Sequence, residues 1–231
     1  MICLDRLEMV SWIAILIGGM QVIAILIDLS RHPQRMMPIM NIVWPLTGLY
    51  FPIIGIAAYY KLGRDTGAPH EHMEHEDMHH HRDKPFWQSV FVSTTHCSSG
   101  CSLGDMIGAP IVFFTGFTIA GSMLLAEYAV EFVIAYVLGI AFQYYGMGFK
   151  KHSQPAKRIK NAIKADTLSL IAFEIGMFGW MALAHLVFFT EAPGPGTATF
   201  WFMMQLAMML GFLTSYPANW LLVKKGMKHA M

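Results

Sequence analysis

Long uncharged stretches recur along this chain and constrain it more than any single motif. Residues 9–29 (MVSWIAILIGGMQVIAILIDL) stay apolar over about 20 positions, the length at which a helix crosses a hydrocarbon layer of roughly 30 Å. Gly18, Gly19 and Gln21 interrupt the stretch without ending it. It is longer than the apolar core of a secretory signal, its leading residues mix Asp5, Arg6 and Glu8, and no small-x-small cleavage site follows, so it reads as a retained first span. Residues 38–60 read as a second span kinked at Pro45 and Pro52, and residues 166–189 and 200–223 as two more. With 55% hydrophobic and only 13% charged residues in 231, the chain lies outside the range of soluble domains. The expected fold class is all-α, a polytopic transmembrane helix bundle of six or seven spans.

The count depends on residues 86–148, which carry no charged loop and are too long for one helix but sufficient for two or three. Breaks fit only at 104–110 or at 116–121. With two crossings there are six spans, with 14 Lys and Arg on one side against two on the other; with three there are seven, and the tally is 11 against five. The positive-inside rule prefers six, with the 61–85 loop and the C-terminus cytoplasmic. The net charge is +1 and no basic stripe lies outside the loops, which excludes a nucleic-acid partner. The expected partners are a lipid bilayer and a metal ion.

Residues 61–85 change character. His70, His72, His75, His79, His80 and His81 alternate with Glu71, Glu74, Glu76 and Asp77, and no apolar period runs through them. Six imidazoles beside carboxylates suit the capture of zinc, copper or nickel; an acidic linker that tolerates histidine is the plainer reading. The chain thus divides into a two-helix segment (1–62), a His/Glu-rich loop (63–85) and a core (86–231).

Inside the core, His96-Cys97-Ser98-Ser99-Gly100-Cys101 and then Asp105 place soft and hard ligands within ten residues. On a helix Cys97, Cys101 and Asp105 recur every four residues on one face, with His96 about 100° round. Ser93, Thr94, Ser98, Gly100 and Gly104 make the rest of the segment small, which permits close helix approach. The expected metal ligands are His96, Cys97, Cys101 and Asp105, and the cofactor copper or zinc. Cys-x3-Cys is not the spacing of a thioredoxin motif or of haem attachment, and a packing face with inert thiols is the alternative. Glu174, Met177, Met181 and His185 step by three, four and four into a second stripe. Glu127 and Glu131 lie one turn apart, on a face shared with Tyr145, and Asp166 opens the following span. Intramembrane acids of this kind face bundle interiors and serve ion or proton pathways; at an interface, as Glu127, Asp166 and Asn219 could lie, they cost little.

His96-Cys97-x-x-Gly100-Cys101-x-Leu103-Gly104-Asp105, Ala126-Glu127-Tyr128, Lys164-Ala165-Asp166-Thr167-Leu168-Ser169-Leu170, Met204-Gln205, Thr214-Ser215-Tyr216-Pro217-x-Asn219-Trp220 and Gly226-Met227-Lys228 resemble one bacterial membrane family. It is known as domain of unknown function 4396, and the resemblance covers about residues 86–231. It implies a location in the bacterial inner membrane and, through copper-oxidase-like names among relatives, an association with copper handling. Ala109 stands where the family pattern leads one to expect an acid, and Glu131 where an aspartate is more typical. The chain is therefore expected to bind and move or buffer a soft transition metal, most readily copper. The alternatives are a membrane thiol-disulfide or quinone-linked redox protein and an accessory subunit of a membrane complex.

Overall fold

The structure, a computed structural model, describes residues 2–34, 37–64, 85–146, 155–226 and 228. Among these residues seven α-helices follow in chain order: α1 (Ile2–Arg31), α2 (Met40–Tyr50), α3 (Ile54–Ala58), α4 (Phe86–Thr115), α5 (Met123–Gly146), α6 (Pro155–Leu183) and α7 (Ala198–Lys224). Single π-helical turns extend α3 through Tyr59–Gly63 and α6 through Ala184–Phe188. Among the described residues five helices are long and apolar enough to cross a membrane, namely α1, α4, α5, α6 with its π turn, and α7. Their outer faces carry Leu16, Met20, Val133, Ile175 and Leu186 in the open, whereas serines, threonines, acids and cysteines are buried between them. That inversion is what a lipid solvent selects.

Residues 86–146 form two long helices rather than three. Pro110 stays inside α4, and the chain turns only after Gly116, whose φ of 66° closes the helix in the left-handed conformation and whose N–H donates to Val112 O. The intimacy of α4 and α5 comes from Gly100, Gly104 and Gly108, spaced every four residues. A Cβ at Gly100 would lie 2.9 Å from Gly139 Cα, one at Gly104 would overlap the Ala135 backbone, and one at Gly108 would lie 2.8 Å from Glu131 Cγ. Small residues at this spacing let two backbones meet and replace hydrophobic attraction with contact.

The expected second span, residues 38–60, is not a span. The chain breaks at Phe51–Ile53, where Ile53 takes a φ of 69°, and then runs back along itself. A Cβ at Gly55 would lie 2.8 Å from Gly48 Cα, the Tyr59 ring stands 5.8 Å from the Trp44 ring, and Gly63 abuts Trp44. Gln34 Nε2 donates to Gly63 O, and Arg64 pairs with Asp28 at 3.0 Å, so the segment leaves beside the end of α1 where it entered. It is a re-entrant helical hairpin. The 11 residues of α2 reach about 16 Å, half a hydrocarbon layer.

A broken tip at that depth exposes backbone groups that lipid cannot satisfy. Two glutamines supply partners. Gln21 Oε1 accepts from Ile53 N at 3.0 Å and Ile56 N at 3.2 Å while its Nε2 donates to Gly48 O, and Gln205 Nε2 donates to Leu49 O at 2.8 Å. Phe51 then packs edge-on against Phe212 in α7. The sequence offered Gln21 only as an interruption of the first span; here it is the cap of the hairpin.

The helices therefore have two common ends. Ile25, Leu29, Trp44, Val92 and Phe142 cluster near one pole, where α1 ends and α4 begins and where Phe86 meets Trp220 of α7 at 4.7 Å. The 116–122 and 189–197 connections occupy the opposite pole.

Candidate functional site

The Cys97, Cys101 and Asp105 face of α4 is rotated away from the glycine stripe that holds α5, so it points at α6 and α7. All three residues are buried, and both cysteines are free thiols. Cys97 Sγ donates to Asp166 Oδ1 at 2.7 Å and stands 3.1 Å from Ser169 Oγ, both on α6. Asn219 of α7 donates to Ser169 Oγ at 2.6 Å. Gly139 leaves room for this group, since a Cβ there would fall 2.7 Å from Asp166 Oδ2.

A residue beyond the last helix completes the cluster. Gly226, with a φ of 66°, reverses the chain so that Lys228 N donates back to Leu222 O, a helix-ending turn that places the Lys228 side chain among α4, α6 and α7. Lys228 Nζ donates to Asn219 Oδ1 at 2.8 Å and lies 3.6 Å from Asp166 Oδ1. Burial alone would pull its ammonium down, but Cys97 and Asp166 beside it outweigh that and hold it above the usual lysine range. In the sequence Lys228 stood in the Gly226-Met227-Lys228 motif of the family resemblance, with nothing to mark it as buried except the glycine two positions earlier.

Farther along the same face the groups are acids. Cys101 lies against Glu174 of α6, and Glu174 in turn interacts with Asp105 and Glu131. Neither oxygen of Asp105 has a hydrogen-bond partner, and both Asp105 and Glu174 are at most 2% exposed. Glu131 and Glu127 continue the series along α5 toward the opposite pole. Read in order, Lys228, Asp166, Cys97, Cys101, Glu174, Asp105, Glu131 and Glu127 form one buried track through most of the bundle. A carboxyl group without a partner is kept in such surroundings only as a neutral acid or against a cation.

The four expected metal ligands are spread over more than one face of α4. His96 is buried but turns to α5, its ring 6.4 Å from that of Phe142 and away from the thiol face. The 100° offset along the helix is not relieved by unwinding at Gly100, because α4 stays regular through Thr115. Cys97 is engaged by Asp166, and Cys101 and Asp105 by Glu174, so the four do not converge. Among the described residues no group of three or more His, Cys, Asp or Glu side chains could hold a metal ion. Of the second stripe, Glu174, Met177 and Met181 are buried in line, while His185 sits half-exposed in the π turn at the opposite pole. Asp166 and Asn219 are buried inside the bundle, and Tyr145 is exposed rather than grouped with Glu131. His70, His72, His75, His79, His80 and His81 lie outside the described residues.

A family model described as domain of unknown function (DUF4396) matches residues 86–228. The chain belongs to this family. The match begins at the first residue of α4 and ends at Lys228, so it takes in the whole track and leaves out α1 and the re-entrant hairpin. No curated protein and no solved structure matches the chain.

Proposed function

We propose that this is a multi-pass protein of the bacterial inner membrane that takes up a soft monovalent metal ion, copper(I), on Cys97 and Cys101 and passes or buffers it along the buried track. The observation that carries this reading is that each free thiol faces a carboxylate of α6, Cys97 against Asp166 and Cys101 against Glu174. A thiol must lose its proton to bind metal, so each site pairs a ligand with the base that receives that proton. The balance is one proton released from sulfur and held on the carboxyl for each sulfur–metal bond formed. Thiolates select copper(I) among common ions, and two of them satisfy it where a zinc site needs four ligands. Met177, one turn beyond Glu174 in the same core, is a thioether suited to the same ion.

Orientation follows from charge. Every Lys and Arg except Arg6 belongs in sequence to a segment that ends at the pole of Lys228, which the positive-inside rule assigns to the cytoplasm together with the C-terminus. Because the hairpin returns to that pole, the 65–84 segment joins two cytoplasmic ends, and its histidines would serve as the collector there.

Purified protein titrated with copper(I) under a chelator that outcompetes the imidazoles of the 65–84 segment is expected to hold one ion, and Cys97→Ser with Cys101→Ser to hold none at an unchanged melting temperature. Uptake that survives the double replacement overturns the assignment. A second reading, proton conduction without metal, is favoured by the unpartnered Asp105 beyond the thiols. It predicts that Asp105→Asn abolishes proton flux into vesicles while the cysteine variants conduct normally. Thiol trapping in cells separates both from a dithiol–disulfide cycle, which requires a shifting oxidised fraction.

A further inference from the structure

Lys228, Asn219, Ser169, Cys97 and Asp166 close a ring that ties the C-terminal turn to α7, α6 and α4. None of the five is more than 3% exposed, so water does not compete for these contacts. The hydrogens in the ring run in one direction, and Lys228 sets it. An ammonium only donates, so the Asn219 atom that meets it at 2.8 Å is the oxygen. The amide nitrogen is thereby turned to Ser169 Oγ at 2.6 Å and to Ser215 O at 3.0 Å. With the amide reversed, its NH2 would face the ammonium and its oxygen the Ser215 carbonyl, two repulsive contacts in place of three hydrogen bonds.

By distance alone, either atom of the Ser169–Cys97 pair could be the donor. Cys97 has a single hydrogen, however, and Asp166 Oδ1 takes it at 2.7 Å, so the Ser169 hydroxyl is the donor to sulfur at 3.1 Å. Its oxygen is meanwhile the acceptor for Asn219. A hydroxyl that accepts while it donates, followed by a thiol that does the same, polarises each next bond along the chain.

We propose that Ser169 and Asn219 are positioning residues that carry the placement of Lys228 to Cys97, keeping the thiol hydrogen on Asp166 Oδ1 while the C-terminal turn is docked. The purpose of that placement rests on metal uptake at Cys97, where Asp166 receives the thiol proton; the ring itself belongs to the metal-free protein. Undocking of Lys228 frees the Asn219 amide to reverse, and the Ser169 hydroxyl then has no fixed direction to hand on. In this way the C-terminal turn regulates the thiol. Lys228 also lies against Cys97 directly, so Ser169 and Asn219, not Lys228, are the positions that isolate the path through the ring.

The test is infrared spectroscopy of the S–H stretch in the full-length, metal-free protein carrying Cys3→Ser and Cys101→Ser, which leaves Cys97 as its one thiol. The folded protein is expected to give one narrow band at lower frequency than the same thiol gives after unfolding in dodecyl sulfate. Ser169→Ala is expected to move the band up toward the unfolded position. Asn219→Asp, equal in size but with a carboxylate that draws the Ser169 hydrogen off the sulfur, is expected to move it in the same direction. Ser215→Ala, one turn away on α7 and outside the ring, is expected to leave it in place. A band left unmoved by either Ser169→Ala or Asn219→Asp overturns the proposal. So does an equal shift in Ser215→Ala, which makes the effect one of helix packing. Because no metal is added, a failure here is separate from a failure of copper(I) uptake.

Discussion

Replacing Lys228 tests whether the C-terminal tail is a structural part of the bundle. Its ammonium is fully buried, 3.6 Å from a carboxylate that is itself 2% exposed, and it donates to Asn219 at 2.8 Å. At an effective dielectric of 20 the attraction across that distance is about 4–5 kcal/mol, and removing one partner of a buried pair costs roughly 3–5 kcal/mol because the other charge is stranded. Lys228→Met should therefore lower the melting temperature by roughly 6–20 °C in a chain of this size. A thiol-reactive dye reports the melt directly, since Cys97 and Cys101 are inaccessible until the helices part. Adding Asp166→Asn to Lys228→Met should recover most of the loss, because no charge is then left unpaired. A shift under about 2 °C, or a double variant no better than the single one, refutes the reasoning.

The pH dependence has a definite sign. Lys228 binds its proton more tightly in the folded protein than in the unfolded chain, so its contribution is complete below the ordinary lysine value of about 10.4 and is lost as pH rises through the raised folded value. The stability difference between wild type and Lys228→Met should accordingly be constant from pH 6 to about 10 and shrink above that range.

Gln21→Leu should strand two part-buried N–H groups and one carbonyl at the hairpin tip, at about 1–3 kcal/mol each, whereas Gln21→Glu, which keeps an oxygen for both amides, should be milder; dye-monitored melting ranks the two. Gly104→Leu should separate α4 from α5 and abolish folded yield in size-exclusion chromatography, while Gly179→Ala, with open space around it, should be neutral. The re-entrant path predicts that cysteines introduced by His32→Cys and His75→Cys, in a Cys3→Ser background, react with an impermeant maleimide from the same side of the membrane. Labelling of the two from opposite sides restores a second span.

The spans were largely legible because apolar run length is a local property. Helices at 9–29, 166–189 and 200–223 appear, but α1 already begins at Ile2 and α6 at Pro155, about two to three turns before the apolar runs, and Thr197, whose hydroxyl accepts from Phe200 N, marks the start of α7. Residues 38–60 misled for the same reason. Hydropathy records that a segment is apolar and not which way it runs, and Pro45 and Pro52 are as compatible with a kinked span as with a hairpin. Among the site residues, the cysteine and glycine stripes of α4 were readable from four-residue spacing, as was the line of Glu174, Met177 and Met181. Partners were not, because Cys97 and Asp166 are 69 positions apart and Gln205 caps a carbonyl 156 positions away.

By itself the sequence determined which stretches become helices, which face of α4 is small and which carries thiols, since these depend on composition and on the 3.6-residue period alone. Tertiary structure decided the direction of the hairpin, the burial of Lys228 and the pairing of each thiol with an acid. In a bundle whose lipid solvent cannot hydrogen-bond, Cys97, Gln205 and Lys228 take their partners from other elements of the fold, and those choices are made only when the helices meet.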